Sequence, residues 1–121
     1  MENSIRDYDE NGNLIHVKYS DGLESWRDFD AKDRMIHYKD SVGYESWNDY
    51  DVNGNLIHRK DFDGFEVWKE YDVNGKLIHV KNSKGLEYWA DYDTNSKLIH
   101  VKYSDGDEFW YDSEGHEIPK P

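Results

Sequence analysis

The chain has 121 residues and a formal net charge of −12, which disfavours nucleic acid or an anionic membrane as a direct ligand. It contains no cysteine, which excludes a disulfide framework and thiolate chemistry. Mean hydropathy is −1.12, yet 16% of the residues are aromatic; that pairing separates the chain from acidic disordered sequences and points to burial through Trp and Tyr rather than a deep aliphatic interior.

The N-terminal stretch MENSIRDYDE is acidic and lacks an apolar run, so no secretory signal is expected and a cytoplasmic location is. No apolar run anywhere is long enough for a membrane-spanning helix. From there on a repeat dominates. Trp26, Trp47, Trp68, Trp89 and Trp110 are spaced by 21 residues, as are His16, His37, His58, His79 and His100. Gly22, Gly43, Gly64, Gly85 and Gly106 keep the same period, and so do Glu24, Glu45, Glu66, Glu87 and Glu108. The consensus is close to YDxNGxLIHxKxSxGxExWxD, and a self-similarity of this kind marks a repeat architecture.

Each unit reads as two short strands, residues 14–20 and 23–29 in the first. Asp21-Gly22 between them has the form of a two-residue hairpin turn, although Val42-Gly43 fits such a turn poorly because a β-branched residue resists positive φ. Glu10-Asn11-Gly12 has the form of a three-residue loop whose third residue takes the left-handed conformation, a role that Asp33 and Ser96 fill less comfortably than Gly. With these turns the expected pairs are Leu14 with Phe29, His16 with Arg27 and Val17 with Trp26. One row of Tyr8, Leu14, Phe29, Met35, Tyr50, Leu56, Tyr71, Leu77, Tyr92 and Leu98 is then the expected core. A second row on the opposite face runs Ile5, Val17, Trp26, Tyr38, Trp47, Arg59, Trp68, Val80, Trp89, Val101 and Trp110. The expectation is an all-β antiparallel meander of 21-residue hairpin repeats, an elongated or coiled, solenoid-like sheet of about eleven strands. It is expected as a single domain, residues 1–121, with a half repeat at 1–13, five repeats over 14–112 and a C-terminal cap at 113–121. Pro119 and Pro121 would blunt the last edge, since proline donates no ladder hydrogen bond.

The motif YDxNGxL followed by a DG turn and another YD, at Tyr8-Asp9, Phe29-Asp30, Tyr50-Asp51, Tyr71-Asp72 and Tyr92-Asp93, resembles the YD repeats of Rhs, teneurin and insecticidal toxin-complex proteins. The resemblance covers nearly the whole chain. It implies consecutive hairpins that coil into a spiral, which in that family forms a hollow shell around cargo; five units are too few for that, so architecture is what it implies here. Choline-binding repeats have a similar period, but their paired GW and WYY signatures are absent. In size and charge alone the chain is similar to small phage-type inhibitors such as anti-CRISPR proteins.

Four kinds of chemistry compete for these residues. Asp7-x-Asp9-x-Asn11-Gly12 and Asp49-x-Asp51-x-Asn53-Gly54 match the first half of an EF-hand loop, but Lys18 and Lys60 stand where a bidentate Glu is needed, and a hairpin turn explains Asp, Asn and Gly without a metal. The regular His suggest zinc, yet on alternate strands they would lie about 10 Å apart at a strand spacing of about 4.8 Å, too far for a shared ion. Their expected neighbours, Arg27, Asn48, Lys69 and Ala90, are poor ligands. Repeated carboxylates such as Glu24 with Asp28 form no single asymmetric cleft, so no enzyme activity, no metal and no cofactor are expected.

The Trp stripe beside acidic rows remains. It fits a non-enzymatic protein-binding or inhibitory role, with Asp28, Glu45, Trp47, Asp49, Glu66 and Trp68 as the expected contact residues. The expected partner is a basic protein, in the sharpest form a nucleic-acid-handling one such as a CRISPR effector, with the chain itself a monomer or an edge-strand homodimer. The rival readings are a glycan- or cell-wall-binding module and a YD-type structural repeat.

Overall fold

The structure is a computed structural model that describes residues 3–121. The chain divides into two compact units, one ending at Phe65 and one running from Glu66 to Pro121. The first holds β1 (Ser4–Tyr8), β2 (Leu14–Tyr19), β3 (Glu24–Phe29), β4 (Met35–Asp40), β5 (Glu45–Tyr50) and β6 (Leu56–Asp61). The second holds β7 (Glu66–Tyr71), β8 (Leu77–Asn82), β9 (Glu87–Tyr92), β10 (Leu98–Tyr103), β11 (Glu108–Tyr111) and β12 (Glu117–Ile118). In each unit consecutive strands pair antiparallel. The protein is therefore the all-β hairpin-repeat meander that its periodicity predicts. The described residues form twelve strands rather than about eleven, because the C-terminal segment adds the two-residue β12.

All the turns are of one kind. Across Glu10-Asn11-Gly12 the Asp9 N–H donates to the Asn13 carbonyl at 2.9 Å and the Gly12 N–H to the Asp9 carbonyl at 3.0 Å. Across Ser20-Asp21-Gly22 the Tyr19 N–H donates to the Leu23 carbonyl at 2.9 Å and the Gly22 N–H to the Tyr19 carbonyl at 3.0 Å. Both are three-residue loops with the last residue left-handed, Gly12 at φ +86° and Gly22 at +93°. The two-residue Asp21-Gly22 turn expected from the sequence is thus corrected to a three-residue one. Val42 then needs no positive φ, which removes its misfit. Asp33 and Ser96 do take positive φ, +64° and +62°, as expected.

A second irregularity follows the longer connection. Tyr8 pairs with Leu14 but Asp7 with His16, so Ile15 is an extra residue on β2; the same shift recurs at each equivalent hairpin. The bulge moves the β1–β2 pairing by one residue, so that His16 faces Asp7, and the three-residue turn moves the β2–β3 pairing by one, so that His16 faces Trp26 and Val17 faces Ser25. A one-residue slip exchanges the faces of a strand. The expected rows are corrected accordingly: Trp shares a face with His and the acids, while Val17 lies on the other face with Ser25.

That other face carries the interior. Val17, Ser25, Ser46 and Asn48 are buried in the first unit, Ala90 and Val101 in the second. The expected core row is not the most buried one: Tyr8 is 55% exposed, and the rest of the row is only half-buried. Tyrosines tie neighbouring strands together, the Tyr50 hydroxyl donating to the Met35 carbonyl and the Tyr92 hydroxyl to the Leu77 carbonyl, both at 2.8 Å. The buried polar groups are paired: Arg27 donates to Ser25 Oγ at 3.3 Å and Asn48 donates to the Met35 carbonyl at 3.4 Å. No buried side-chain N or O among the described residues lacks a partner, as burial of polar groups requires.

Ser96 adopts its left-handed φ without the freedom of glycine, and Ser96→Gly should raise stability by about 0.5–1 kcal/mol. Asp33→Gly should gain less, because Asp33 also accepts a 2.8 Å bond from Asn13 Nδ2. Urea midpoints of the two variants against the parent protein check both expectations.

Candidate functional site

The D-x-D pairs of the sequence divide their labour between two neighbours. The second Asp closes the turn: Asp9 Oδ1 accepts the N–H groups of Asn11 and Asn13, both at 2.9 Å. Asp30, Asp51, Asp72, Asp93 and Asp112 do the same. These backbone donors hold the carboxyls of Asp9, Asp30, Asp51 and Asp112 below the ordinary range, the N–H four residues on acting most strongly in each. The EF-hand likeness is therefore accounted for by turn chemistry. Among the described residues no group of three or more His, Cys, Asp or Glu is arranged to hold a metal ion.

The first carboxylate of each pair points across the sheet to a histidine. Asp7 Oδ2 lies 2.9 Å from His16 Nδ1, and Glu24 Oε2 lies 2.7 Å from His16 Nε2. The same bridge joins Asp28, His37 and Glu45 at 2.9 and 2.6 Å. It recurs at Glu70, His79 and Glu87 with 3.0 and 2.7 Å, and at Asp91, His100 and Glu108 with 2.9 and 2.8 Å. Asp49 holds His58 Nδ1 at 2.9 Å. Carboxylates only accept hydrogen bonds, so a ring that satisfies both must carry a proton on each nitrogen and be an imidazolium. The carboxylate bonds raise the histidines above 6.5, led by Asp7 at His16, Glu70 at His79 and Asp91 at His100. At His37 partial burial opposes protonation, and the bonds to Asp28 and Glu45 together outweigh it.

Each of these imidazoles also lies on an indole. Ring centroids are 5.6 Å apart for His16 and Trp26, 5.5 Å for His37 and Trp47, 5.5 Å for His79 and Trp89, and 4.9 Å for His100 and Trp110. All four pairs are stacked, within 17–23° of parallel. The Lys102 ammonium stands 6.0 Å from the Trp89 centroid. A cationic imidazole against an indole face adds a cation–π attraction to the stack. The sequence reading of the His neighbours as Arg27, Asn48 and Ala90 is corrected here: the residues opposite are Trp26, Trp47 and Trp89.

No family model matches the chain, and no curated protein matches it. Solved structures do. A crystal structure of TcdB2-TccC3-TEV aligns at a TM-score of 0.71 and 15% identity, over 95% of this chain and 7% of that chain. A crystal structure of TcdB2-TccC3-Cdc42 aligns at 0.72 and 15%, with the same coverage. The Photorhabdus luminescens Tc holotoxin pore with a mutated TccC3 aligns at 0.71 and 15%, over 95% of this chain and 6% of that one. The hairpin-repeat fold is thus one that toxin-complex chains share, as the YD motif implied. This chain spans about 7% of the length of the first chains it matches, and at 15% identity the likeness is one of fold.

Of the residues expected to contact a partner, the structure brings three together: Asp28, Glu45 and Trp47 all meet His37. Asp49 is exposed on the same face of the first unit, bonded to His58. Glu66 and Trp68 belong to the second unit. There the Glu66 N–H bonds Ser83 Oγ at 2.9 Å, and Trp68 pairs with Lys81 and is 40% exposed. The histidines that join these residues were missed as binding partners because the register was read one residue out. The sequence signal that points to them is the recurring acid two residues before the turn-closing Asp, which the structure pairs across the sheet with a histidine.

Stability should peak in mildly acidic solution. The raised histidines contribute fully below 6.5, and their contribution is lost as pH rises through their folded values. The lowered aspartates contribute fully above 3.8 and lose this as pH falls through theirs. Both sets are complete between 3.8 and 6.5, so the melting temperature should be highest there and fall as pH rises through neutrality. His37→Gln with His79→Gln should flatten the alkaline limb and leave the acid limb in place.

Proposed function

We propose that the protein is a non-enzymatic binding protein of the cytoplasm that presents its Trp- and carboxylate-bearing face to a basic protein. The observation that carries this reading is the pairing of partly open indoles with open carboxylates in every repeat. Trp26, Trp47 and Trp89 remain 39, 40 and 38% exposed, and the Asp28 and Asp49 side chains are each 69% exposed. Aromatic anchors ringed by complementary charge are the usual source of protein-binding energy and of steering. The sharper form of the proposal is a partner that handles nucleic acid, a CRISPR effector among them, occluded by a regular negative surface. A sugar-binding face would offer open indole planes, whereas here one plane of each stacked Trp carries an imidazole; the arrangement therefore favours a protein partner.

A second reading rests on a separate observation, the fold likeness to a small part of much longer toxin-complex chains. In it the chain is a structural segment of hairpin repeats that associates through strand edges. Sedimentation at several concentrations tests this second reading, which predicts association that grows with concentration; a monomer throughout rejects it.

For the binding reading, a partner captured from cells should elute with rising salt and be displaced by duplex DNA or structured RNA. Asp28→Asn with Asp49→Asn should weaken its binding about tenfold, since exposed charge pairs contribute roughly 0.2–1 kcal/mol each, and should lower the salt dependence. Binding that ignores both salt and these substitutions would rule the reading out.

A further inference from the structure

The repeats act as internal controls for one another, and in the first unit several departures from the pattern converge on one place. Ser41, Ser83 and Ser104 open their turns and accept the N–H of Glu24, Glu66 and Glu87 at 2.9, 2.9 and 3.0 Å. Phe62 occupies the same position in its own turn. It has no hydroxyl to do this for Glu45, and its ring is 58% exposed. Val42 takes the next turn position, where the other repeats have Asp21, Asp63, Lys84 and Asp105, and is 77% exposed. Arg59 stands where the repeats have Val17, Tyr38, Val80 and Val101; its Nη2 donates to the Tyr44 hydroxyl at 2.7 Å and its Nε to Asp61 at 3.0 Å. Tyr44, held by that bond, packs on Phe62 with centroids 5.4 Å apart and on Tyr38 at 5.8 Å.

These residues lie along one margin of the first unit's sheet, where the Gly22, Gly43 and Gly64 turns line up. Beside them is a groove of about 150 Å³ lined by Leu23, Arg27, Tyr38, Asp40 and Val42, room for one aliphatic side chain. An exposed aromatic in place of a bonding serine gives up a local interaction, and such breaks in an otherwise consistent pattern mark function. The charge around the patch is acidic. Asp21, Asp40, Asp61 and Asp63 flank it; of its two cations, Arg59 is tied to Asp61 and Arg27 lies over the Tyr38 ring, 5.1 Å from its centroid, so the acids outnumber the cations.

We propose that this turn margin, centred on Val42, Tyr44 and Phe62, is a docking surface for a protein segment that alternates basic and apolar side chains. The apolar side chains seat against Phe62, Tyr44 and the groove, and the basic ones meet the flanking aspartates. A second copy of the chain is the wrong occupant on charge, since each copy carries −12. The proposal shares a basic partner with the functional reading above but uses a different surface, so either can fail alone.

The test uses the full chain and a labelled 14-residue peptide of alternating Arg and Leu, followed by fluorescence anisotropy. Peptides of alternating Glu and Leu, and of alternating Arg and Ser, serve as controls. The Arg/Leu peptide should bind best. Phe62→Ser with Val42→Asp, both residues that other turns already use, should weaken it at least tenfold with an unchanged melting temperature. Asp63→Asn should lower the salt dependence. Affinity unchanged in the double variant overturns the proposal, as does equal binding of the Glu/Leu peptide. Loss of binding through Asp28→Asn and Asp49→Asn alone moves the contact to the Trp face and overturns it too. Sedimentation showing a dimer that the double variant abolishes would make a second copy the occupant and likewise reject it.

Discussion

The hydrogen bond from the Asp9 N–H to the Asn13 carbonyl, with its counterparts at every turn, sets the geometry on which the other contacts depend. It closes a three-residue loop whose last residue must be left-handed, and the Asp9 side chain reinforces it by accepting two more N–H groups. Because the loop is odd in length and is followed by an extra residue, Ile15, the strands meet in a register that a plain two-residue hairpin would not produce. Side-chain parity then follows without further choice. Acid, His and Trp fall on one face; Val, Ser, Asn and Ala fall on the other.

This parity explains how a sheet with so little buried aliphatic surface can be specific. Only Val17, Ala90 and Val101 are buried apolar residues among those described. The rest of the order comes from side-chain pairs that recur at each repeat, each of modest worth. The imidazolium bridges tie three consecutive strands, since Asp7 is on β1, His16 on β2 and Glu24 on β3. The Trp26 ring lies alongside the same imidazole, so one protonated ring joins three other side chains, Asp7, Glu24 and Trp26. An acidic chain gains twice from this arrangement, because each imidazolium also offsets part of the negative charge that would otherwise repel across the sheet.

The fold was legible because its signals are local and repeated. A period of 21 with Gly, Trp and His in register admits few architectures, and the left-handed roles of Asp33 and Ser96 could be read from the residues they replace. The site was legible only in part. Asp-Gly is a strong two-residue hairpin signal, and it misled because the turn takes in the preceding residue as well, Ser20 here and Phe62 in its own turn, with the same closing bonds in both. A bulge such as the one at Ile15 leaves no residue signature of its own. Each error amounts to one residue in its own hairpin, and one residue in a strand exchanges the faces; the turn error assigned Val17 to Trp26 instead of Ser25, and the bulge error hid the pairing of His16 with Asp7.

A face that repeats also poses a problem for recognition. The contacts around His16 are nearly those around His37, so a partner that reads only this face could bind shifted by one repeat at little cost. Such a surface supplies attraction and a favourable encounter rate, but it cannot by itself fix position. Position requires something that occurs once. In the first unit that feature is the cluster of Tyr44, Arg59 and Phe62, where the repeat's own serine and valine have been replaced and the new side chains bond to one another. The repeated histidine bridges therefore account for the sheet, and the departures from the repeat are where selectivity can reside.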